Sequence, residues 1–236
     1  MQSTPVFVIL VPMRTLWRRI RKNWNRTDSL VALTNTSALL VFIGNCRWES
    51  VWVCSLASAI PLAVQIRHAA RAPGPLRDGL IFGGLIAGAW PVGEGIVTAR
   101  FGWWGEYLAP GPLIWHTPLY CVLIGWLAST HIYYVGRRTV EFGYARRAAV
   151  LNSGFTGFLL GLVGENLFVL SGMWKYHVSE VDWFSIPAFV PLAYGLGYGV
   201  LPLLHGWRII PATVLCGLTI IASCVGLGLV TGFFPR

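Results

Sequence analysis

Apolar residues fall in long runs separated by short polar or basic breaks. The runs lie at about 29–45, 50–66, 79–99, 113–135, 148–172, 187–205 and 209–232. A window of about 20 apolar residues spans a hydrocarbon core about 30 Å thick, so the pattern predicts about seven transmembrane helices in a single all-α, polytopic domain over 29–236. The stretch before them reads differently. Residues 5–13, PVFVILVPM, are too short to span and are interrupted by Pro12. From 14 to 26, arginines alternate with Leu16, Trp17, Ile20 and Trp24 at near-helical spacing, which predicts an amphipathic helix on the cytoplasmic membrane surface within an N-terminal segment 1–28.

Two stretches share their punctuation. Residues 90–120 read WPVGEGIVTARFGWWGEYLAPGPLIWHTPLY, and residues 163–198 read VGENLFVLSGMWKYHVSEVDWFSIPAFVPLAYGLGY. Val92-Gly93-Glu94 lies over Val163-Gly164-Glu165, and Trp103 over Trp174. With a gap of two residues in the loop, Trp115-His116-Thr117-Pro118 lies over Phe184-Ser185-Ile186-Pro187. Each copy has an acid in an apolar run, an aromatic loop, then a Pro-led apolar segment. This predicts duplicated helical hairpins at about 79–136 and 148–205.

Composition confirms the class. Charged residues are 11% of the 236, hydrophobic residues 55%, and mean hydropathy is +0.62; soluble domains carry roughly 25% charged residues. The net charge of +9 does not point to nucleic acid, because the arginines cluster between apolar runs. With the N-terminus cytoplasmic, 14 of the 18 Lys/Arg fall on that side, leaving Arg47, Arg100, Lys175 and Arg236 outside. Both acids then approach the outer face. The five cysteines are odd in number and show no CxxC, so they read as small packing residues. Gly154, Gly157, Gly161 and Gly164 form a stripe that lets another helix approach closely. Pro187, Pro191 and Pro202 break the sixth span around Tyr194 and Tyr198, so that span faces protein or a cavity.

A carboxylate in hydrocarbon is costly, so Glu94 and Glu165 are favoured as neutral acids. A protonated acid in an apolar pocket is what protonating a carbon–carbon double bond requires. Aromatic faces then stabilise the cation by about 0.5–2 kcal/mol each, and a closed cavity excludes water. Trp90, Trp103, Trp104, Tyr107, Trp115, His116, Tyr120, Trp174, Tyr176, Trp183, Tyr194 and Tyr198 all fall near the two acids in the sequence. His116 is a candidate proton relay to Glu94, or an interfacial histidine bonded to a loop carbonyl; His131 reads as structural. Glu106, Glu180 and Asp182 read as solvated loop residues. Against the catalytic reading stands one in which each Glu ties neighbouring helices and the aromatic loops form an interfacial belt. No HExxH, clustered DDxxD-type, GxxxxGK[ST] or GxGxxG motif is present, so metal and nucleotide chemistry lack support and no cofactor is expected. Only Lys22 and Lys175 are lysines, neither mid-span, which argues against a retinal Schiff base.

The duplicated Glu, Trp/Tyr-rich loop and Pro-helix unit, over about 79–205, resembles a group of membrane isoprenoid enzymes. These are the carotenoid hydratases, the small lycopene cyclases and the membrane-bound terpene cyclases of meroterpenoid pathways. The Pro-x-Glu-Glu associated with the lycopene cyclases is absent, and the chain length fits the terpene cyclases best. The resemblance implies metal-independent, acid-initiated cyclisation of a linear polyprenyl or meroterpenoid substrate drawn from the bilayer, an isomerase or lyase chemistry. Glu94 and Glu165 would be the acids. Hydration of the same kind of substrate is the nearest alternative. A small proton- or cation-coupled transporter, or a non-catalytic membrane subunit, would use the same residues differently.

Overall fold

A computed structural model describes residues 13–100, 104–109, 111–177, 182–231 and 233. Helix α1 covers Met13–Asn23, α2 Arg26–Trp48, α3 Val51–Ala69 and α4 Pro75–Glu94. A π-helical segment Gly95–Arg100 continues α4, and a loop carries strands β1 (Gly105–Tyr107), β2 (Leu113–Ile114) and β3 (Thr117–Pro118). Helix α5 is Leu119–Glu141 and α6 Arg146–Leu159; a second π segment, Leu160–Gly164, leads into α7, Glu165–Leu170. Strands β4 (Trp174–Tyr176), β5 (Asp182–Trp183) and β6 (Ile186–Pro187) follow, then α8 (Phe189–Gly199), a 3-10 turn Leu201–Leu204 and α9 (Ile209–Val230).

The chain is mostly helical, and among the described residues strands occur only in the two loops. Among the described residues, five helical stretches are long and apolar enough to cross a membrane: Arg26–Trp48, Val51–Ala69, Leu119–Glu141, Arg146–Leu170 and Ile209–Val230. This marks an integral membrane protein. Leu33, Leu40, Ile60, Leu151 and Leu218 stay exposed on these helices, as a lipid-facing surface requires. The expected count of seven is not met. Phe189–Leu204 is short because Pro191 and Pro202 interrupt it, and α4 carries Arg77, Asp78, Glu94 and five glycines. The fourth run also begins later than expected, since 113–118 folds into the β2–β3 hairpin before α5 starts after Pro118.

Residues 5–12 lie outside the described part. Helix α1 occupies the expected amphipathic stretch, and Trp24, 46% exposed, donates its indole N–H to Ser29 Oγ at 2.8 Å. Helix α2 begins at Arg26, two residues before the expected end of the N-terminal segment. Asn25 Oδ1 accepts from Asp28 N at 3.0 Å and Asp28 Oδ2 from Asn25 N at 2.8 Å, a capping box that satisfies two donors otherwise left open at the helix start. Asp28 also accepts from Tyr134 Oη at 2.6 Å and from Arg138 Nε and Nη2 at 2.8 and 2.7 Å, tying the start of α2 to the end of α5.

The loop pattern recurs in space. Strands β2 and β3 recur as β5 and β6, 69 residues on, and the two-residue loops Trp115-His116 and Phe184-Ser185 match. Trp115 and Phe184 both adopt left-handed backbone, at φ 56° and 61°, which is uncommon for large side chains. Strands β1 and β4 pair with each other in antiparallel register: Gly105 with Tyr176, Glu106 with Lys175, Tyr107 with Trp174. Two equivalent strands paired this way lie about a pseudo-twofold axis through Glu106 and Lys175. Within each repeat, α4 packs on α5 and α6 on α8, and α9 covers α8 and part of α4. Gly83 makes the first packing possible, because a Cβ there would stand 2.6 Å from Trp126 O. The glycine stripe on α6 does the same against α8: Cβ atoms at Gly154, Gly157 and Gly161 would stand 3.0, 2.8 and 2.8 Å from Gly195 O, Tyr194 O and Pro191 Cα.

Candidate functional site

The two acids sit where each repeat leaves regular α-helix. Glu94 is the last residue of α4 before the π segment Gly95–Arg100, and Glu165 is the first residue of α7 after Leu160–Gly164. A π turn holds an extra residue and re-aims the side chains beside it, and such turns concentrate at functional sites. The acids belong to one cavity of about 90 Å³ beneath the β1–β4 ladder. Its walls also include Trp90, Trp104, Tyr107, Trp174, Tyr176, Tyr194 and Tyr198. Strand pairing explains the convergence, because Tyr107 and Tyr176 are equivalent positions of the two copies and each serves its own repeat's acid.

The carboxyls are differently held. Glu165 Oε1 accepts from Tyr194 Oη at 2.9 Å and Oε2 from Tyr176 Oη at 2.8 Å. Glu94 Oε2 accepts from Thr98 Oγ1 at 2.9 Å, with Tyr107 and Trp90 also interacting with this carboxyl. Two phenol donors, one to each oxygen, suit Glu165 to carry negative charge. The Glu94 carboxyl is met instead by one alcohol, one phenol and one indole. Trp90, Tyr194 and Tyr198 form a near-parallel stack: ring centroids are 6.4 Å apart at 7° between Trp90 and Tyr194, and 6.2 Å at 6° between Tyr194 and Tyr198. Tyr107 meets Trp174 edge-on at 4.5 Å, and Trp174 meets Tyr176 at 5.5 Å.

Three expected binding residues are elsewhere. Tyr120 is fully buried in a separate cluster with Cys54 and Met173, its hydroxyl donating to Met173 O at 3.4 Å. Trp115 is 57% exposed and lies over Gly95, where a Cβ would stand 2.5 Å from its ring. His116 is exposed, rests on Trp115 at 4.9 Å and is not among the cavity walls. Both fall on the tip of the β2–β3 turn, which points them away from the helix they precede. Trp183 is likewise on a loop strand, 37% exposed. Trp103 and Glu180 lie outside the described residues. The expected match of Trp103 to Trp174 is corrected: in the paired strands Trp174 occupies the place of Gly105. Gly105 is 11 positions after Glu94 and Trp174 is nine positions after Glu165, so the gap falls before the strand. Glu106 is an exposed loop residue as expected, 4.0 Å from Lys175, and Asp182 is exposed.

Sequence reading passed over the α5 side of the cavity, Cys121, Ile124, Gly125 and Ala128. Their spacing of three and four residues marks one helix face, but nothing in their chemistry singles it out. Thr98, four residues after Glu94, was also legible only by spacing. Among the described residues, no group of three or more His, Cys, Asp or Glu is placed to hold a metal ion. No family model, curated protein or solved structure matches the chain.

Proposed function

We propose that this protein is a membrane-embedded terpene cyclase that starts its reaction by protonating an alkene of a linear prenyl chain. The observation that carries the reading is the pairing of two carboxylic acids at equivalent places of a repeat, in one cavity walled by aromatic rings. Glu94 transfers its proton to one carbon of the terminal double bond, leaving a tertiary cation on the other. The stack of Trp90, Tyr194 and Tyr198 offers ring faces to that charge. A second double bond of the chain attacks the cation and closes a ring. The Glu165 carboxylate, oriented by Tyr176 and Tyr194, takes a proton from the carbon beside the new cation, restoring an alkene. One proton has entered and one has left, so substrate and product are isomers, and Glu165 returns its proton to Glu94 within the shared cavity. Where water reaches the cation first, it adds, its proton passes to Glu165, and the product is a hydrate.

In this reading α4 and α8 are embedded with the five longer helices, and the basic ends of the helices are cytoplasmic. Purified protein incubated with linear prenyl compounds tests the reading by mass spectrometry. An isomer of unchanged mass is expected; a product heavier by one water would mean hydration, and no product from any prenyl compound would overturn it.

A further inference from the structure

The acid cavity is too small for the chain this reading requires. At about 90 Å³ it is smaller than the roughly 150 Å³ apolar cavity that admits benzene. Only the reacting end of a polyprenyl chain is accommodated there. A second cavity of about 540 Å³ adjoins it, inside the roughly 300–1,000 Å³ typical of small-ligand sites. Ile124, Ala128, Leu160, Gly164 and Phe168 are walls of both. This larger cavity separates α2 from α6. At its rim Leu39, Leu159 and Val163 are 44, 40 and 42% exposed, so it opens sideways, where bilayer lipid would lie.

Its other end is polar. Gln65 Nε2 donates to Thr34 Oγ1 at 2.8 Å and to Asn35 Oδ1 at 3.1 Å, and Asn35 Nδ2 meets His131 Nδ1 at 2.7 Å. Because Asn35 Oδ1 already accepts, its amide nitrogen is the donor to His131, and Nδ1 is the acceptor. The ring proton of neutral His131 is therefore on Nε2. His131 is a wall of the 540 Å³ cavity and also of a third cavity, about 440 Å³, which continues past Ala32 toward Asp28, Arg138 and Tyr144. Polar side chains this deep in membrane-spanning helices mark ligand or ion paths by default.

We propose that the 540 Å³ groove holds the substrate's chain and that His131 Nε2–H anchors a hydrogen-bond-accepting oxygen on it. The ligand class is an oxygenated isoprenoid, taken laterally from the bilayer, with its oxygen at His131 and its terminal alkene between Glu94 and Glu165. A bulkier head extends into the 440 Å³ cavity. The chain's identity as a prenyl substrate rests on the cyclase reading; its binding does not.

The test is equilibrium binding of radiolabelled geranylgeraniol to the full chain in detergent, with competition by the unlabelled alcohol or by its hydrocarbon counterpart lacking the hydroxyl. The alcohol should bind about tenfold more tightly than the hydrocarbon, the weight of one hydrogen bond in an apolar site. His131→Phe should erase that preference while changing hydrocarbon affinity less than twofold, and His131→Gln, which keeps a donor, should recover part of it. Ala128→Phe and Leu160→Trp, on opposite walls of the junction, should each weaken both ligands at least tenfold. Equal affinity for the two ligands, or a preference that survives His131→Phe, would overturn the anchor. Parent-like binding in both junction variants would overturn the continuous groove. Selective binding with no product from any prenyl compound would overturn the cyclase reading and leave the site standing.

Discussion

Ser129 Oγ and Tyr198 Oη lie 2.7 Å apart, and the two residues stand at equivalent positions of the two repeats, 69 apart like the paired strands above them. Equivalent positions that touch must lie on the pseudo-twofold axis. The axis therefore runs from Glu106 and Lys175 in the strand ladder, past the acid cavity, to this buried hydrogen bond. The repeats have diverged on it, to a small hydroxyl on one side and a phenol on the other. Tyr198 is one of the cavity walls, so the contact also sets the base of the aromatic stack.

Removing one partner of that contact strands the other. Ser129→Ala and Tyr198→Phe are each expected to destabilise the protein by about 1 kcal/mol. The double variant should lose less than the sum of the two, which thermal unfolding of all four proteins in detergent will read as a coupling energy. Strict additivity would show that the two hydroxyls are not bonded.

The Asp28 cluster is the stronger tie. Asp28 is 4% exposed and accepts from Tyr134, Arg138 and the Asn25 N–H. Asp28→Ala leaves the Arg138 guanidinium and the Tyr134 hydroxyl without this partner and should destabilise by about 3–5 kcal/mol. The loss should appear as a lower midpoint of thermal unfolding, with the acid cavity's chemistry unchanged below it.

Helix approach at the glycine stripe is open to the same kind of measurement. In Gly157→Ala, the new Cβ would stand 2.8 Å from Tyr194 O and 3.0 Å from the Tyr198 ring. The expected loss is about 1–3 kcal/mol, together with a fall in turnover because both displaced tyrosines line the cavity. Gly88→Ala, with nothing within 4 Å of its Cβ, is the matched control and should be neutral.

Orientation is tested by epitope insertion. The arginine bias places the turn at Gly143 in the cytoplasm and the loop at Gly111 outside, and both are exposed. The reverse pattern of accessibility in intact cells would invert the protein and put the acids near the cytoplasmic face.

The acids and most of their aromatic partners were legible in the sequence because a glutamate inside an apolar run has few structural uses, and because the repeat marked it twice. What escaped depended on pairing between distant segments. No local pattern shows β1 against β4, and it is this ladder that brings Tyr107 and Tyr176 over one cavity and sets Trp174 opposite Tyr107. Trp115, His116 and Tyr120 are not among the cavity walls: Trp115 and His116 sit on the β2–β3 turn, with Trp115 over Gly95, and Tyr120 is buried with Cys54 and Met173. The helix count suffered from the same segments: Glu94, the glycines of α4 and the prolines of α8 lower their apolar length where the repeat builds its cavity. His131, read as structural, bonds Asn35 across 96 residues of sequence, a pairing no local pattern shows.

Two tyrosine hydroxyls, one on each oxygen, hold the Glu165 carboxyl. Tyr176→Phe and Tyr194→Phe each remove one donor to a carboxylate, an interaction of about 1.5–3 kcal/mol, so turnover should fall about 10–100-fold with ligand binding retained. A loss confined to binding would assign these tyrosines to substrate contact alone.

The central claim is that a proton from one acid starts the reaction. Gln keeps the shape of Glu and much of its hydrogen bonding but delivers no proton. Product formation from a linear prenyl substrate, followed by mass spectrometry in Glu94→Gln and Glu165→Gln beside the parent, is the direct measurement. At least a 10²–10⁴-fold loss of turnover is expected in each, strictest at Glu94, with thermal stability and prenyl-alcohol binding near the parent's. A Glu94→Gln protein that still turns over at the parent's rate would contradict the account.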